Sequence, residues 1–214
     1  MSKPWDGLPV IESVSELESY GVPLPAVRDK VLDRLAPVHV RFLAASPVVF
    51  IATATPDGRC DVSPKGDPVG IATVLDETTL VIPERPGNRR MDGFHNLVAN
   101  PYIGLLFVIP GRGDTLRVNG EARVVTDGPF FADLEVRGHR PELATLVDIE
   151  EVFFHCPKAF MRSRAWQPDT WRPDALESYA DIAKQLWRAG EDPAEVDRAY
   201  APEVYEQALY APPS

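Results

Sequence analysis

Only two of the 214 residues are cysteines, Cys60 and Cys156, and they lie far apart in the chain. That scarcity leaves no redox or zinc spacing, and a reducing cytoplasm is the simplest setting. Long apolar runs are also missing: none approaches the roughly 20 residues that span a bilayer. The first residues lack the basic stretch and apolar run of a signal peptide, so the expectation is a soluble cytoplasmic protein without membrane contact. Basic residues are few, 22 Lys and Arg against 32 Asp and Glu, for a formal net charge of -10. Phosphate neutralisation needs a basic face, so nucleic acid is not an expected partner. His39, His95, His139 and His155 keep no ligand spacing, and no metal is expected. Patterns of the GxGxxG, GKT/S and GxSxG types are absent, which removes the usual anchors for dinucleotide, P-loop and hydrolase chemistry. There is no internal repeat and no low-complexity tract.

What is present suits one folded core with extensions. Apolar residues make up 44% and charged residues 25%, ordinary for a globular chain and against general disorder. The charge is uneven. Asp57 to Arg123 carry eight Lys or Arg and nine Asp or Glu, so -9 of the -10 lies in the flanks. The middle is the more basic part, as an anion-binding core requires.

Hydrophobic spacing sets the expected elements. Pro25 to Ser46 has helical spacing at Val27, Val31, Leu32 and Leu35 and again at Val38, Phe42 and Leu43, with Pro37 splitting it into two helices. Val48 to Thr55 is a strand entering the turn Pro56, Asp57, Gly58. Its partner starts near Cys60 and is expected to bulge or break from Ser63 to Gly66, because proline donates nothing to a ladder. Strands follow at Val69 to Leu75 and Thr79 to Ile82, then a helix from about Arg89 to Ala99, capped by Asn88 and stopped by Asn100 and Pro101. Tyr102 to Ile109 and Thr115 to Val125 form a hairpin, Pro129 to Val136 a short helix, and Ala144 to Phe154 another strand. Beyond Pro157 the chain is helical, with Pro173 to Ala189 and Pro193 to Leu209 each opening on proline. The expected architecture is mainly β with peripheral helices (α+β), an antiparallel barrel of six or seven strands, closed or nearly so. Residues 1–46 read as an N-terminal helical extension, 47–166 as the barrel, and 167–214 as a C-terminal helical extension packing on the barrel or on a partner subunit.

Three segments carry the chemistry. In PGNRRMDGFHNLVANP, residues 86–101, two arginines occupy the expected first helical turn, where the helix dipole disfavours cations. An anion would explain them, since helix-start N–H groups and guanidinium forks both bind phosphate; the alternative is a surface pair bridging to Asp92 or Glu84. In DTLRVNGEARV, residues 114–124, alternation puts Thr115, Arg117 and Asn119 on one face, which either meets a ligand or is solvated. In CDVSPKGDP, residues 60–68, the expected break in pairing frees backbone groups for a ligand edge beside the Lys65 charge.

Taken in order, FIATATPDGRCDVSPKGDP, LVIPERPGNRRMDGFHNLVANPYIGLLFVIPG and DTLRVNGEARVV resemble the FMN-binding split barrel of pyridoxamine 5'-phosphate oxidase-like flavoproteins, over roughly residues 38–166. The resemblance implies a homodimer with FMN at the subunit interface. It assigns the phosphate to Arg89 and Arg90 with Asn88, and the flavin ring to Val62, Ser63, Pro64 and Lys65 beside Ile82. It places Thr115 and Arg117 over the cofactor from the neighbouring subunit, and KAFMRSRAW, residues 158–166, offers Arg162, Arg164 and Trp166 to close the site. Lys65 and Arg117 would stabilise a reduced, anionic flavin. Where vitamin B6 oxidases carry hydroxyl residues before the helix, this chain has Pro83, Glu84, Arg85, Pro86 and Gly87, and their C-terminal histidine and arginine motif is missing, which points to another substrate. The implied activity is FMN-dependent oxidoreduction; the alternatives are a carrier or sensor of flavin, deazaflavin (F420) or haem, or a purely structural dimer.

Overall fold

A computed structural model describes residues 3–68 and 70–210 and divides the chain into two compact units at Val31. Residues 3–31 contain two short helices, α1 (Val14–Glu18) and α2 (Pro25–Arg28), and all of these residues are exposed. The Ser13 hydroxyl caps α1 by accepting the Glu16 N–H, and Pro25 opens α2. The helix expected to continue past Val31 ends at Arg28. The next residue but three, Leu32, exchanges backbone bonds with Val152 at 3.1 and 2.8 Å, which requires an extended chain.

The second unit begins with α3 (Pro37–Ala45), where the expected split at Pro37 becomes the N-terminus of the helix. Six strands and one helix follow as β1 (Val48–Ala54), β2 (Cys60–Gly66), β3 (Thr73–Val74), β4 (Thr79–Pro83), α4 (Asp92–Ala99), β5 (Tyr102–Val108) and β6 (Thr115–Val125). A 3-10 helix, Pro129–Leu134, leads to β7 (Ala144–His155) and α5 (Lys158–Ser163). The strands form one sheet in the order β2-β1-β5-β6-β7-β4-β3, antiparallel throughout. No pairing joins the edge strands β2 and β3 among the described residues, so the sheet curls without closing, as a split barrel does. Val69, expected to open a strand, lies outside the described residues; of the rest of that strand only Thr73 and Val74 pair.

Alternation explains the core. Along β1, Val49, Ile51 and Thr53 are buried while Phe50 and Ala52 face out. On β4, Leu80, Val81 and Ile82 are all buried, because Val81 packs outward against Phe131, Leu134 and Ala144. The 3-10 helix thus covers that stretch of outer face.

One expectation on the barrel needs correcting. The predicted break in β2 is not there: every residue from Cys60 to Gly66 pairs with β1, through Pro64 opposite Phe50. β2 is an edge strand, so the missing proline donor can point away from the ladder. The irregularity falls instead between Asn119 and Gly120 of β6, where Gly120 pairs with Ile149, Asn119 with Glu151, and Glu150 is the extra residue of β7. This bulge restores the phase that keeps Val147, Ile149 and Val152 all inside.

His39 is almost wholly buried, its Nδ1 accepting the Ala36 N–H at 3.1 Å and its ring 5.3 Å from that of Phe154. Burial pushes its pKa below the ordinary imidazole value. An unfolded chain binds the proton near pH 6.5 and the folded one only lower, so stability is full above that pH and is lost as pH falls through the folded value. His39→Asn keeps a non-titrating acceptor in place. Wild-type Tm should fall more steeply than the variant's between about pH 7 and about pH 5; parallel slopes would disprove the role.

The C-terminal helices are α6 (Tyr179–Leu186), α7 (Pro193–Ala199) and α8 (Pro202–Ala208). A single helix from Pro193 to Leu209 was expected; Pro202 lacks the N–H that would continue it and starts a new one. Ala180 and Ala183 of α6 pack on Val196 of α7, and the rings of Tyr179, Trp187, Tyr200 and Tyr205 cluster at centroid distances of 5.1 to 6.3 Å. Among the described residues no helix is long and apolar enough to cross a membrane.

Candidate cofactor site

The pairing register decides which side chains of β2 can act together. Asp61, Ser63 and Lys65 stand opposite Thr53, Ile51 and Val49, the inward residues of β1, so all three face α4 and the loop before it. Val62 stands opposite Ala52 on the other face and is 62% exposed. Ser63 donates to Asp61 Oδ2 at 3.1 Å, and the Lys65 ammonium pairs with the Glu84 carboxylate and lies 5.6 Å over the Phe94 ring. The buried Asn96 amide of α4 donates to Thr53 Oγ1 at 3.0 Å, fixing the helix to β1.

The arginines lie before the helix, not inside its first turn. α4 starts at Asp92, whose carboxylate suits the positive end of the dipole, and Met91 precedes it without a side-chain cap. Asn88 does not cap the helix either; its Oδ1 accepts the Arg90 N–H at 3.1 Å and tightens the loop. Arg89 and Met91 both have left-handed backbone, φ 56° and 60°, a conformation costing non-glycine residues on the order of 1 to 3 kcal/mol each. Arg90 is tied to Asp92, Nε to Oδ2 at 2.6 Å, so the surface-pair alternative holds for this arginine. Arg89 has no ion pair or side-chain hydrogen bond among the described residues.

These groups border one cavity of about 510 Å³, within the roughly 300 to 1,000 Å³ of small-molecule sites. Of the residues singled out from sequence, Ser63, Pro64, Lys65, Asn88, Arg89 and Arg90 line it. Lys65, Arg85, Arg89 and Arg90 contribute positive charge against the carboxylates of Asp61, Glu84 and Asp92. Sequence reasoning passed over Glu84 and Arg85 as departures from a pattern, although they sit between the strand and the arginines and both line the cavity. Ile82 does not line it; its side chain is 2% exposed in the core.

The remaining residues lie elsewhere on the chain. Arg117 pairs in register with Leu106 and Phe153 on the outward face, its guanidinium 5.3 Å over the Phe153 ring, and Thr115 is buried on the same strand. Arg164 ends α5 in left-handed conformation and donates to Gln167 at 2.7 Å. The Trp166 ring stacks on Phe160 at 5.1 Å, and its buried Nε1 has no hydrogen-bond partner among the described residues. None of these four lines the cavity of its own chain. No group of three or more potential metal ligands occurs among the described residues.

The sequence profile of pyridoxamine 5'-phosphate oxidase matches residues 35–156, which is more than half of the chain. The chain belongs to the pyridoxamine 5'-phosphate oxidase family. Solved structures similar to this family member include HupZ of Group A Streptococcus, 18% identical, covering 56% of this chain and 93% of the other with a TM-score of 0.46. An FMN-binding protein of Syntrophomonas wolfei is 11% identical over 55% of this chain and 84% of the other, TM-score 0.43. A pyridoxamine 5'-phosphate oxidase-related, FMN binding protein of Nostoc punctiforme is 14% identical over 56% and 84%, TM-score 0.38. No curated protein matches the chain.

Proposed function

We propose that this family member is an FMN-dependent oxidoreductase and acts as a cytoplasmic homodimer, with one FMN in each cavity. The observation that carries the reading is Arg89, a guanidinium without a protein partner among the described residues, held in a strained loop that lines a cavity together with Lys65 and Arg90. A phosphate monoester is the ligand that such forks bind bidentately. Arg89 is the primary phosphate ligand, Arg90 a secondary one that must leave Asp92, and Ser63 to Lys65 border the ring.

Bound FMN supplies reversible two-electron transfer. The chain's part is to bind, orient and set the charge beside it. Lys65 does this under restraint from Glu84, which shares its positive charge. Glu84→Gln should therefore raise the reduction potential of the bound flavin, on the order of 30 mV for about 1.4 kcal/mol in a two-electron couple. An unchanged or lower potential in redox titration would remove Lys65 from the neighbourhood of the ring.

The dimer part of the reading is supported by a geometric restriction, given the contact that the resemblance implies for Arg117. Lys65 points inward and Arg117 outward on one sheet, so one chain cannot set both against one ligand, whereas a second copy can present Arg117, Arg164 and Trp166 to the first; Thr115, buried within its own chain, is left out of that surface. The outward row through Pro64, Phe50, Leu106, Arg117 and Phe153 includes Phe50 at 41% exposure, and apolar surface of this kind favours a protein partner. FMN titration, mass spectrometry of whatever co-purifies and sedimentation test the reading together. A yellow dimer reduced by a nicotinamide donor supports an enzyme, bound but inert flavin a carrier, and a Soret band haem. A colourless protein whose Tm does not move on adding FMN sinks the proposal, because a ligand selective for the native state must stabilise it.

A further inference from the structure

One wall of the cavity comes from no barrel element. Leu209 and Tyr210, just after α8, line it, and Tyr210 also lines an adjoining cavity of about 160 Å³ bordered by Arg85, Arg89 and His139. The tyrosine sits in a built socket. Its hydroxyl donates to Asp67 Oδ1 at 3.0 Å, across 143 positions of sequence. The Asp67 side chain is 1% exposed, and Arg85 holds its other oxygen through Nε at 2.7 Å and Nη2 at 2.6 Å. Arg85 is held in turn by the Leu134 carbonyl, 2.9 Å from Nη2. Guanidinium groups of Arg85 and Arg137 lie 5.7 and 5.2 Å from the centre of the Tyr210 ring, and the His139 ring lies 6.4 Å away, tilted by 20°.

This arrangement selects the tyrosine for physical reasons. A carboxylate taken out of water needs partners on both oxygens, and Tyr210 supplies the hydrogen bond to Oδ1 while Arg85 supplies the charge. Burial, and then the bond to Asp67, raise the phenol's pKa above its ordinary value, so it stays a donor at neutral pH. The ring is left between cations on the border of two connected spaces.

We propose that Tyr210 is a ligand-contacting wall of the flavin cavity, set against bound FMN by the chain's own C-terminal segment and locked by Asp67 and Arg85. The inference rests on the flavin reading of that cavity. It makes the C-terminal segment part of the binding site, since Tyr210 borders both spaces and its withdrawal would remove one wall of the cavity. A tyrosine ring in contact with a flavin also quenches the flavin's fluorescence.

The test uses the full chain, with Tyr210→Ala and Tyr210→Phe titrated with FMN beside the wild type. Tyr210→Ala should raise Kd on the order of tenfold, the change that about 1.4 kcal/mol produces, and should brighten the bound flavin. Tyr210→Phe keeps the ring contact but lacks the oxidisable phenol that quenches by electron transfer, so it should brighten the bound flavin while keeping part of the affinity. Melting of the FMN-free proteins is measured alongside, because a segment with only a structural role would lower that Tm and leave Kd and fluorescence unchanged. Wild-type Kd and emission in Tyr210→Ala, in a preparation whose wild type binds FMN, overturn the inference alone. A wild type that binds no FMN overturns the flavin reading first, and this inference with it.

Discussion

Replacing Arg89 with alanine should weaken FMN binding by about 1.5 to 3 kcal/mol, the worth of one charge-assisted contact, which is roughly a ten- to 150-fold rise in Kd. The expectation is large because Arg89 pairs with nothing in the described chain and borders the cavity. Arg90→Ala should do less. Its guanidinium already has Asp92 at 2.6 Å, so much of what it offers a phosphate is offset by the contact it gives up. Fluorescence titration of both variants measures the contrast, and equal affinities for wild type and Arg89→Ala would take Arg89 out of the site. Raised salt should weaken binding in the wild type more than in Arg89→Ala, since screening acts on the charge that the variant lacks.

Gly120→Ala should destabilise the barrel by roughly 1 to 3 kcal/mol, the usual range for overpacking a close-fitted interior. A methyl group at Gly120 would lie 2.0 Å from the Asp148 carbonyl oxygen and 3.2 Å from the Glu150 nitrogen, both backbone atoms of the strand next door. Neither can swing away as a side-chain end can, so relief requires moving β7 or losing the bulge. Losing it would put Val152 on the outer face and Phe153, the ring beneath Arg117, on the inner. Gly104 on β5 is the matched control. Its added methyl group would meet the Asn119 Oδ1 at 3.5 Å and the Ala52 Cβ at 3.8 Å, ordinary contacts, so Gly104→Ala should leave Tm nearly unchanged. Chemical denaturation of the two variants decides it: equal stabilities would mean that β7 yields to the methyl group without cost.

Local chemistry made most of the strands legible. Val48 to Thr55, Tyr102 to Ile109 and Thr115 to Val125 carry β-branched and alternating residues between clear turn signals, and each appears as a strand within a residue or two of its expected ends. The arginines were singled out as a pair in the expected first turn of a helix, yet they lie in the loop before it. Asn88 was expected to cap a helix that starts four residues later, because an asparagine side chain can satisfy a loop N–H as readily as a helical one. Pro64 was taken to break β2, since whether a strand lies at the sheet edge is not a property of the strand itself.

By itself, then, the sequence determined the element types, the antiparallel barrel class and a set of cationic residues suited to an anion, because periodicity, turn chemistry and charge are carried by residues near one another in the chain. Only the tertiary structure decided which of those residues meet. Sheet order and register put Ser63 and Lys65 on the face opposite Arg117, the bulge at Gly120 set the phase of β7, and Tyr210 reached Asp67 across most of the chain. Such encounters are fixed by packing and by the need of buried charges for partners, and no local pattern encodes a partner 143 residues away.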